Sequence, residues 1–183
     1  MNYKNVKTAL GVLMDRENGL GMGRRKVTVS TSGVVPMIAK LGEDCGVNLA
    51  ISLHATNDDL RDELVPINKQ YPLRYLVDEC RRYPGVKQHQ MVTWEYVMLD
   101  GVNDSMKDAK NLIQVVKGIP SLVNLIPFNP WEGSPYKSSS YNQIRRFQQV
   151  LQEESTLNCT IRWPRGRDIM GACGQLAVLN DTG

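Results

Sequence analysis

The chain has 183 residues, 42% of them hydrophobic, which is enough for one substantial core and predicts one domain or a large piece of one. Its 22 basic and 19 acidic side chains leave a net charge of +3, which permits local basic patches but excludes the strongly basic composition that by itself indicates a nucleic-acid-binding protein. The first residues form no secretory signal, and no apolar run approaches the ~20 residues that span a bilayer, so we expect a soluble, intracellular protein.

Helices and strands alternate in the N-terminal part of the chain. Apolar residues at helical spacing predict a helix from Val6 to Met14, which the glycine-rich stretch from Gly19 to Gly23 ends. Alternating β-branched and small residues predict a strand from Lys26 to Ser30, and a helix from Val34 to Leu41 follows it. The apolar run from Val47 to Leu53 predicts the next strand. The order is therefore helix, strand, helix, strand.

The same alternation continues towards the C-terminus. Pairs of capping residues predict three helix starts, at Thr56 with Asp59, Ser105 with Asp108, and Ser140 with Gln143. Apolar residues at helical spacing support helices around three groups: Leu73, Leu76, Val77 and Cys80; Ala109, Leu112, Ile113 and Val116; Ile144, Phe147 and Leu151. Strands are predicted at Val92 to Leu99, Leu122 to Phe128, and Cys159 to Trp163. Strands that alternate with helices imply a parallel sheet covered by helices, and both a doubly wound sheet and a TIM-type barrel remain open.

Polar residues gather at the carboxyl ends of these strands, the edge at which sites of both architectures lie. The segments at that edge are Ser30 to Gly33, Ser52 to His54, Asp100 to Asn103, Pro127 to Pro130, and Arg165 to Cys173. Hydroxyls, an imidazole and carboxamides suit a ligand that carries ribose hydroxyls, an amine and a carboxylate. Each residue alone also fits a structural role, since Ser30 and Asn129 can build turns and His54 can be a hydrogen-bonded core histidine.

The four cysteines, at positions 45, 80, 159 and 173, form neither a CxxC pair nor a zinc-binding pattern. A small buried residue is the expected role of each. Cys173 differs because Gly171, Ala172 and Gly174 leave its sulfur open, and the arginines at positions 162, 165 and 167 could favour its thiolate or hold an RNA phosphate. A buried cysteine beside a tight turn explains the same residues equally well.

Basic and aromatic residues offer candidate contacts with nucleic acid. Arg24, Arg25 and Lys26 precede the first predicted strand, and Arg145 and Arg146 lie in the last long helix. A solvated surface explains either basic group as well. Three tryptophans could stack on bases, although tryptophans near strand ends more often fill cores; they are Trp94, Trp131 and Trp163.

Five motifs, in their order and spacing, resemble the RlmN family of radical-SAM methyltransferases, which modify carbon 2 of an adenine in 23S ribosomal RNA and in some tRNAs. The motifs are VTVSTSGVVPMI, NLAISLHATNDDLRDELVPIN, EYVMLDGVND, VNLIPFNPWEGSPY and RGRDIMGACGQLA. The resemblance covers nearly the whole chain and implies a partial (β/α)6 TIM-type barrel of the radical-SAM class. Carbon 8 of the adenine, the target of close relatives, stays open as an alternative.

The resemblance also implies roles for individual residues. It implies that five residues contact S-adenosylmethionine (SAM), namely Ser30, Ser52, Leu53, His54 and Asn129. Cys173 corresponds to the cysteine that is methylated during turnover and delivers the carbon to the adenine. In the family, one SAM molecule methylates this cysteine and a second is cleaved at a 4Fe-4S cluster to give a radical that takes hydrogen from the S-methyl group.

The sequence departs from the family pattern because it contains no CxxxCxxC motif, so no metal ligand is assigned on this chain. We therefore expect residues 1–183 to be the C-terminal part of a single radical-SAM catalytic domain. The first two barrel strands, the cluster loop and an RNA-binding accessory domain would then lie outside it. Expressed alone, such a chain is expected to be poorly soluble or oligomeric, to bind SAM weakly and to lack methyltransferase activity.

The partners implied by the resemblance are 23S rRNA, tRNA as a further RNA, and a reductant for the cluster of the full-length enzyme. No association with a membrane is expected. The expected compartment is the cytoplasm, with an organelle left open. Two alternatives stand beside the methyltransferase fragment. One is a non-catalytic RNA-binding or complex-forming module derived from the family, and the other is an unrelated barrel enzyme that binds a phosphate ligand.

Overall fold

A computed structural model describes residues 2–86, 90–131 and 133–163 of the chain. The helices are α1 (Tyr3–Met14), α2 (Val35–Asp44), α3 (Asp58–Leu64), α4 (Leu73–Arg82), α5 (Met106–Val116) and α6 (Tyr141–Glu153). The strands are β1 (Thr28–Thr31), β2 (Asn48–Ser52), β3 (Val92–Met98), β4 (Ser121–Pro127) and β5 (Asn158–Ile161). None of the helices in this described part is long and apolar enough to cross a bilayer.

Several predicted boundaries differ from the structure by a few residues, and two of them, at β1 and α3, show a local cause. The sequence pattern predicts a strand from Lys26, but Arg24–Lys26 forms a short 3₁₀ turn and β1 begins at Thr28. The cap of α3 is Asn57 rather than Thr56, because the Asn57 side chain accepts a hydrogen bond from the Leu60 backbone N–H at 2.9 Å. The carboxamide thereby satisfies one of the N–H groups that the first turn of a helix leaves unpaired. The helix starts one residue later than the prediction.

The caps predicted for the last two long helices are confirmed. At α5, Ser105 accepts a hydrogen bond from the Asp108 backbone N–H at 3.2 Å, and the Asp108 carboxylate accepts one from the Ser105 N–H at 3.1 Å. This is a complete capping box. At α6, Ser140 accepts a hydrogen bond from the Gln143 backbone N–H at 3.2 Å. Both starts are thus determined by residues three positions apart in the sequence.

The five strands form one parallel sheet in the order β1, β2, β3, β4, β5. A doubly wound sheet reverses its strand order partway, whereas a barrel wall places each new strand beside the previous one. The observed order is that of a barrel wall. The predicted α/β class with a parallel sheet is confirmed, and the strand order decides between the two architectures that the sequence pattern leaves open.

The two faces of the sheet differ in burial. Along β3 and β4, fully buried residues alternate with partly exposed ones. The buried face packs against the helices, and here the Tyr96 ring stacks on Phe147 of α6 with 5.6 Å between centroids. Trp94 also lies on this face, and its indole N–H donates to Ser121 Oγ at 2.8 Å. Trp94 is therefore a core residue. We call the opposite, partly exposed face the inner face.

Candidate functional site

A row of polar side chains crosses the inner face. The strand register aligns one residue from each of β2, β3, β4 and β5: Ser52, Glu95, Asn124 and Thr160. Asn124 Nδ2 donates to Glu95 Oε2 at 3.0 Å, and Thr160 Oγ1 donates to Asn124 Oδ1 at 3.0 Å. We call these four residues the inner row. It places a carboxylate in register with Ser52, one of the predicted SAM contacts.

Glu95 supplies the negative charge of the inner row. Burial raises the pKa of its carboxyl group, while the hydrogen bond from Asn124 and the positive charge of Arg162 act in the opposite direction. In this half-buried position a charge acts on a ligand more strongly than it would in water. Glu95 and Asn124 are not among the site residues that the sequence predicts, because they lie inside strands rather than at strand ends. The alternation of polar and apolar residues within β3 and β4 is the signal that could have found them.

His54 follows β2 in a left-handed backbone conformation, with a φ of 59°. Such a conformation costs a non-glycine residue roughly 1–3 kcal/mol, so surrounding contacts must hold it. His54 Nδ1 accepts a hydrogen bond from the Val97 backbone N–H at 3.2 Å, which assigns the ring proton to Nε2. Burial, and after it the positive charge of Arg61, lowers the pKa of His54 to about 4. At neutral pH the ring is therefore an uncharged hydrogen-bond donor through Nε2.

Asn103 holds the backbone of this histidine. Its side chain is fully buried, and Nδ2 donates to the carbonyl oxygens of His54 at 2.9 Å and Val97 at 2.7 Å. Its Oδ1 accepts from the Leu99 backbone N–H at 2.8 Å. One carboxamide thus ties the loop after β2 to the end of β3. The sequence places Asn103 at the polar edge as a ligand-facing group, but the structure shows it bonded to backbone atoms inside the protein.

Arg61 of α3 holds the neighbouring strand ends and is fully buried. Its Nε donates to the Leu53 carbonyl at 3.1 Å, and Nη2 donates to the carbonyls of Ser52 at 3.1 Å and Ser32 at 2.7 Å. Nη1 donates to Asn68 Oδ1 at 2.9 Å. Burial lowers the pKa of Arg61 to about 10, so the guanidinium stays charged at neutral pH. The sequence does not predict this role, because α3 is rich in charged residues and its pattern is typical of a solvent-exposed helix.

The remaining predicted SAM contacts lie at the same edge. Ser30 is exposed on β1, shares the face of Ser52 by strand register, and borders an apolar groove of about 210 Å³ between α1 and α2. Asn129 is half-buried, two residues beyond β4. The Leu53 side chain is fully buried in the core, its backbone N–H donates to the Glu95 carbonyl at 3.0 Å, and its own carbonyl accepts from Ala55 and Arg61. The structure therefore brings Ser52 and His54 to the inner row and places Ser30 on the neighbouring edge strand.

The three cysteines in the described residues belong to the core. Cys45, Cys80 and Cys159 are buried, and burial raises the pKa of both Cys80 and Cys159 to about 12. Buried thiols of this kind act as small apolar core residues. Across residues 2–86, 90–131 and 133–163, no group of three or more His, Cys, Asp or Glu is arranged to hold a metal ion. Cys173 lies outside the described residues, as do Arg165 and Arg167.

Known proteins match this chain over nearly its whole length. Over 175 residues, 96% of the chain, it is 54% identical to "Dual-specificity RNA methyltransferase RlmN" of Rhodopseudomonas palustris. It is 57% identical, again over 96% of its length, to the protein of the same name from Bartonella henselae. The resemblance to the RlmN family is confirmed. The chain covers 43% and 42% of these two RlmN proteins, so it spans less than half the length of the curated relatives that it matches.

Two solved structures share the fold of this chain. The crystal structure of a radical SAM methyltransferase from Sphaerobacter thermophilus matches with a TM-score of 0.87 and 46% identity, covering 95% of this chain and 50% of that one. A domain of pyruvate-formate lyase-activating enzyme from Bacteroides vulgatus matches with a TM-score of 0.64 over 87% of this chain and 91% of that one. Its 16% identity makes this a likeness of fold alone. No protein-family model matches the sequence.

Proposed function

We propose that this chain forms part of the SAM-binding barrel of a radical-SAM methyltransferase that methylates carbon 2 of an adenine in 23S rRNA, with tRNA as a second substrate. The observation that carries the proposal is the inner row, which sets the Ser52 hydroxyl, two residues before the imidazole of His54, in register with the Glu95 carboxylate. The relatives bear the name of an RNA methyltransferase, so the alternative of a non-catalytic module has no support from them.

The residues of the site fit the polar groups of SAM. Ser52 and His54 Nε2 offer donors, and the Glu95 carboxylate can accept from ribose hydroxyls and attract the positive sulfonium. Ser30 and Asn129 extend the polar edge on either side. When bound, SAM supplies the methyl group that is transferred. The chain's own part is to bind and orient it, with Arg61 holding the Ser52 carbonyl.

We extend the proposal to Cys173 as the methyl-carrying residue. Its thiolate takes the methyl group of SAM, so that a sulfur–carbon bond forms on Cys173 while the sulfonium–carbon bond breaks and S-adenosylhomocysteine leaves. The proton of the thiol passes to solvent before this attack. The support for this role is the resemblance of the segment from Asp168 to Ala177 to the RlmN motif.

Titration with SAM in a calorimeter, done on the protein encoded by the complete reading frame that contains this sequence, tests the binding site. Ser52→Ala should weaken SAM binding about 2- to 10-fold, the effect of one lost neutral hydrogen bond. Thr28→Ala is the matched control, because Thr28 is a hydroxyl residue on the neighbouring strand, nearer its amino end. Equal SAM affinities for Ser52→Ala and the unchanged chain would contradict the proposed site.

Mass spectrometry tests the role of Cys173. The protein encoded by the complete reading frame that contains this sequence, purified after turnover with SAM, should carry one methyl group on the peptide that contains Cys173. Cys173→Ala should abolish this modification and methylation of RNA, whereas Cys159→Ala, which changes a buried core thiol, should keep both. Methylation of RNA incubated with the Cys173→Ala variant would refute the role of Cys173.

A further inference from the structure

Two exposed aromatic rings stack on each other beside the carboxyl edge of the sheet. Tyr141, the first residue of α6, is 62% exposed, and Trp163, two residues beyond β5, is 41% exposed. Their ring centroids lie 5.2 Å apart and their planes differ by 15°. A stacked pair of exposed rings presents a flat, preformed surface on which a further ring can stack.

The exposed face of α6 continues from this pair with basic and amide side chains. Arg145 lies one turn beyond Tyr141 and is followed by Arg146, and both are exposed. Arg145 bonds to Gln148 Oε1 at 3.1 Å, a neutral partner that leaves its charge uncompensated. Within the described residues, the salt bridges of the protein involve neither arginine. The first acidic residue of α6 is Glu153, at its last position, so the two arginines carry the only charges of the helix before it.

We infer that Tyr141, Trp163, Arg145 and Arg146 form a binding surface for single-stranded RNA, which we call the stacking surface. Unpaired bases stack on the two rings, and backbone phosphates meet the two arginines. A single strand fits better than a duplex because the bases of A-form RNA are already stacked on one another and cannot offer a free face. The inference rests on the proposed function, since it takes RNA to be the substrate.

The position of the stacking surface suits this role. Tyr141 and Trp163 follow β4 and β5 at the carboxyl edge, the edge that also carries His54 and Asn129. An enzyme that modifies a base atom must take that base out of its stack and bring it to this edge. A stacking partner for the neighbouring bases lowers the cost of that step, because it replaces part of the stacking that the strand loses.

Fluorescence anisotropy with a labelled, unstructured oligoadenylate tests the stacking surface on the protein encoded by the complete reading frame that contains this sequence. Trp163→Ala and Tyr141→Ala should each weaken binding about 5- to 100-fold, whereas Trp163→Phe should retain most of it. Arg145→Gln and Arg146→Gln should each reduce the slope of log affinity against log salt by about 0.7. Thermal melts followed by circular dichroism check that every variant stays folded.

Tyr75→Ala is the matched control, because Tyr75 is 49% exposed on α4 and has the Arg74 guanidinium 4.4 Å from its ring centroid. It should leave RNA affinity unchanged. Unchanged affinity in the folded Trp163→Ala and Tyr141→Ala variants, equal losses in Tyr75→Ala, tighter binding of duplex than of single strand, or no RNA binding at all would each overturn the inference. The SAM titration decides the proposed function separately, so the two can fail independently.

Discussion

Replacing Arg61 with methionine tests whether a buried guanidinium holds the strand ends of the candidate site. Methionine has a comparable length and fills irregular apolar space, so the change removes hydrogen bonds and charge with little loss of volume. In the folded protein it leaves the carbonyls of Ser32, Ser52 and Leu53 without this donor, together with the carboxamide oxygen of Asn68. All four groups lie at or beside the carboxyl edge of the sheet.

The expected loss of stability follows from the burial of these groups. A buried polar group left without a partner costs about 1–3 kcal/mol, and such costs are not additive within one network. The acceptors that lose Arg61 are neutral, and the Leu53 carbonyl keeps the Ala55 N–H as a partner, so we expect Arg61→Met to cost about 3–5 kcal/mol, the loss of two to three such groups. For a chain of this size, each kcal/mol lowers Tm by about 2–4 °C, so the shift should be roughly 6–20 °C.

Urea denaturation and calorimetry measure this effect. Arg81→Met is the control, because Arg81 is exposed and pairs with Asp78 at 2.7 Å on the surface of α4. A surface pair of this kind contributes at most about 1 kcal/mol. Arg61→Lys keeps a positive charge but cannot span four acceptors, so it should lie between Arg61→Met and the unchanged chain. If Arg61→Met loses no more stability than Arg81→Met, the reasoning is refuted.

A change of pH and two glycine substitutions give further tests of the structure. The pKa of His54 falls from 6.5 to about 4 on folding, so its stabilising effect is present above pH 6.5 and is lost as the pH falls towards 4, by about 2 kcal/mol between pH 7 and pH 5. His89→Gln removes the other histidine of the chain, so urea unfolding at both pH values should still show this loss of stability. His54→Asn should not show it, and an equal loss of stability in both variants would contradict the assignment to His54. A Cβ added at Gly42 would lie 2.5 Å from Pro84 Cδ, so Gly42→Ala should destabilise the chain by about 1–3 kcal/mol, whereas Gly11→Ala, with nothing within 4 Å, should stabilise it by up to about 1 kcal/mol. Calorimetry compares these two variants, and equal shifts would rule out the clash.

The elements that sequence alone predicts are those with local causes. The caps at Ser105 and Ser140 depend on residues three positions apart, and both are found as predicted. The parallel sheet follows from the alternation of strands and helices, since such connections are almost always right-handed crossovers. The start of α3 at Asn57 was missed because Thr56 and Asn57 are both good caps, and the choice depends on the backbone angles that the loop after β2 imposes.

The parts of the site that sequence did not show depend on contacts between distant residues. His54 and Val97 are 43 positions apart, and the bond between them determines which ring nitrogen carries the proton. Asn103 and His54 are 49 positions apart. No local pattern distinguishes such residues from surface ones, because their role appears only once β2 and β3 lie side by side. A carboxamide in a loop and an arginine in a charged helix both look solvated in the sequence.

Measurements of unfolding stability and of SAM affinity can separate two kinds of residue in the proposed SAM site. Arg61 and Asn103 are fully buried and bond to backbone carbonyls, so substitutions there should lower stability and SAM affinity together. Ser52 and Glu95 lie on the partly exposed inner face, so substitutions there should lower SAM affinity with a much smaller loss of stability. His54 belongs to both groups, because its backbone is held by Asn103 while its Nε2 remains a donor. We therefore expect the residues most sensitive to substitution in the proposed SAM site to be those that shape the loop after β2, Arg61 and Asn103.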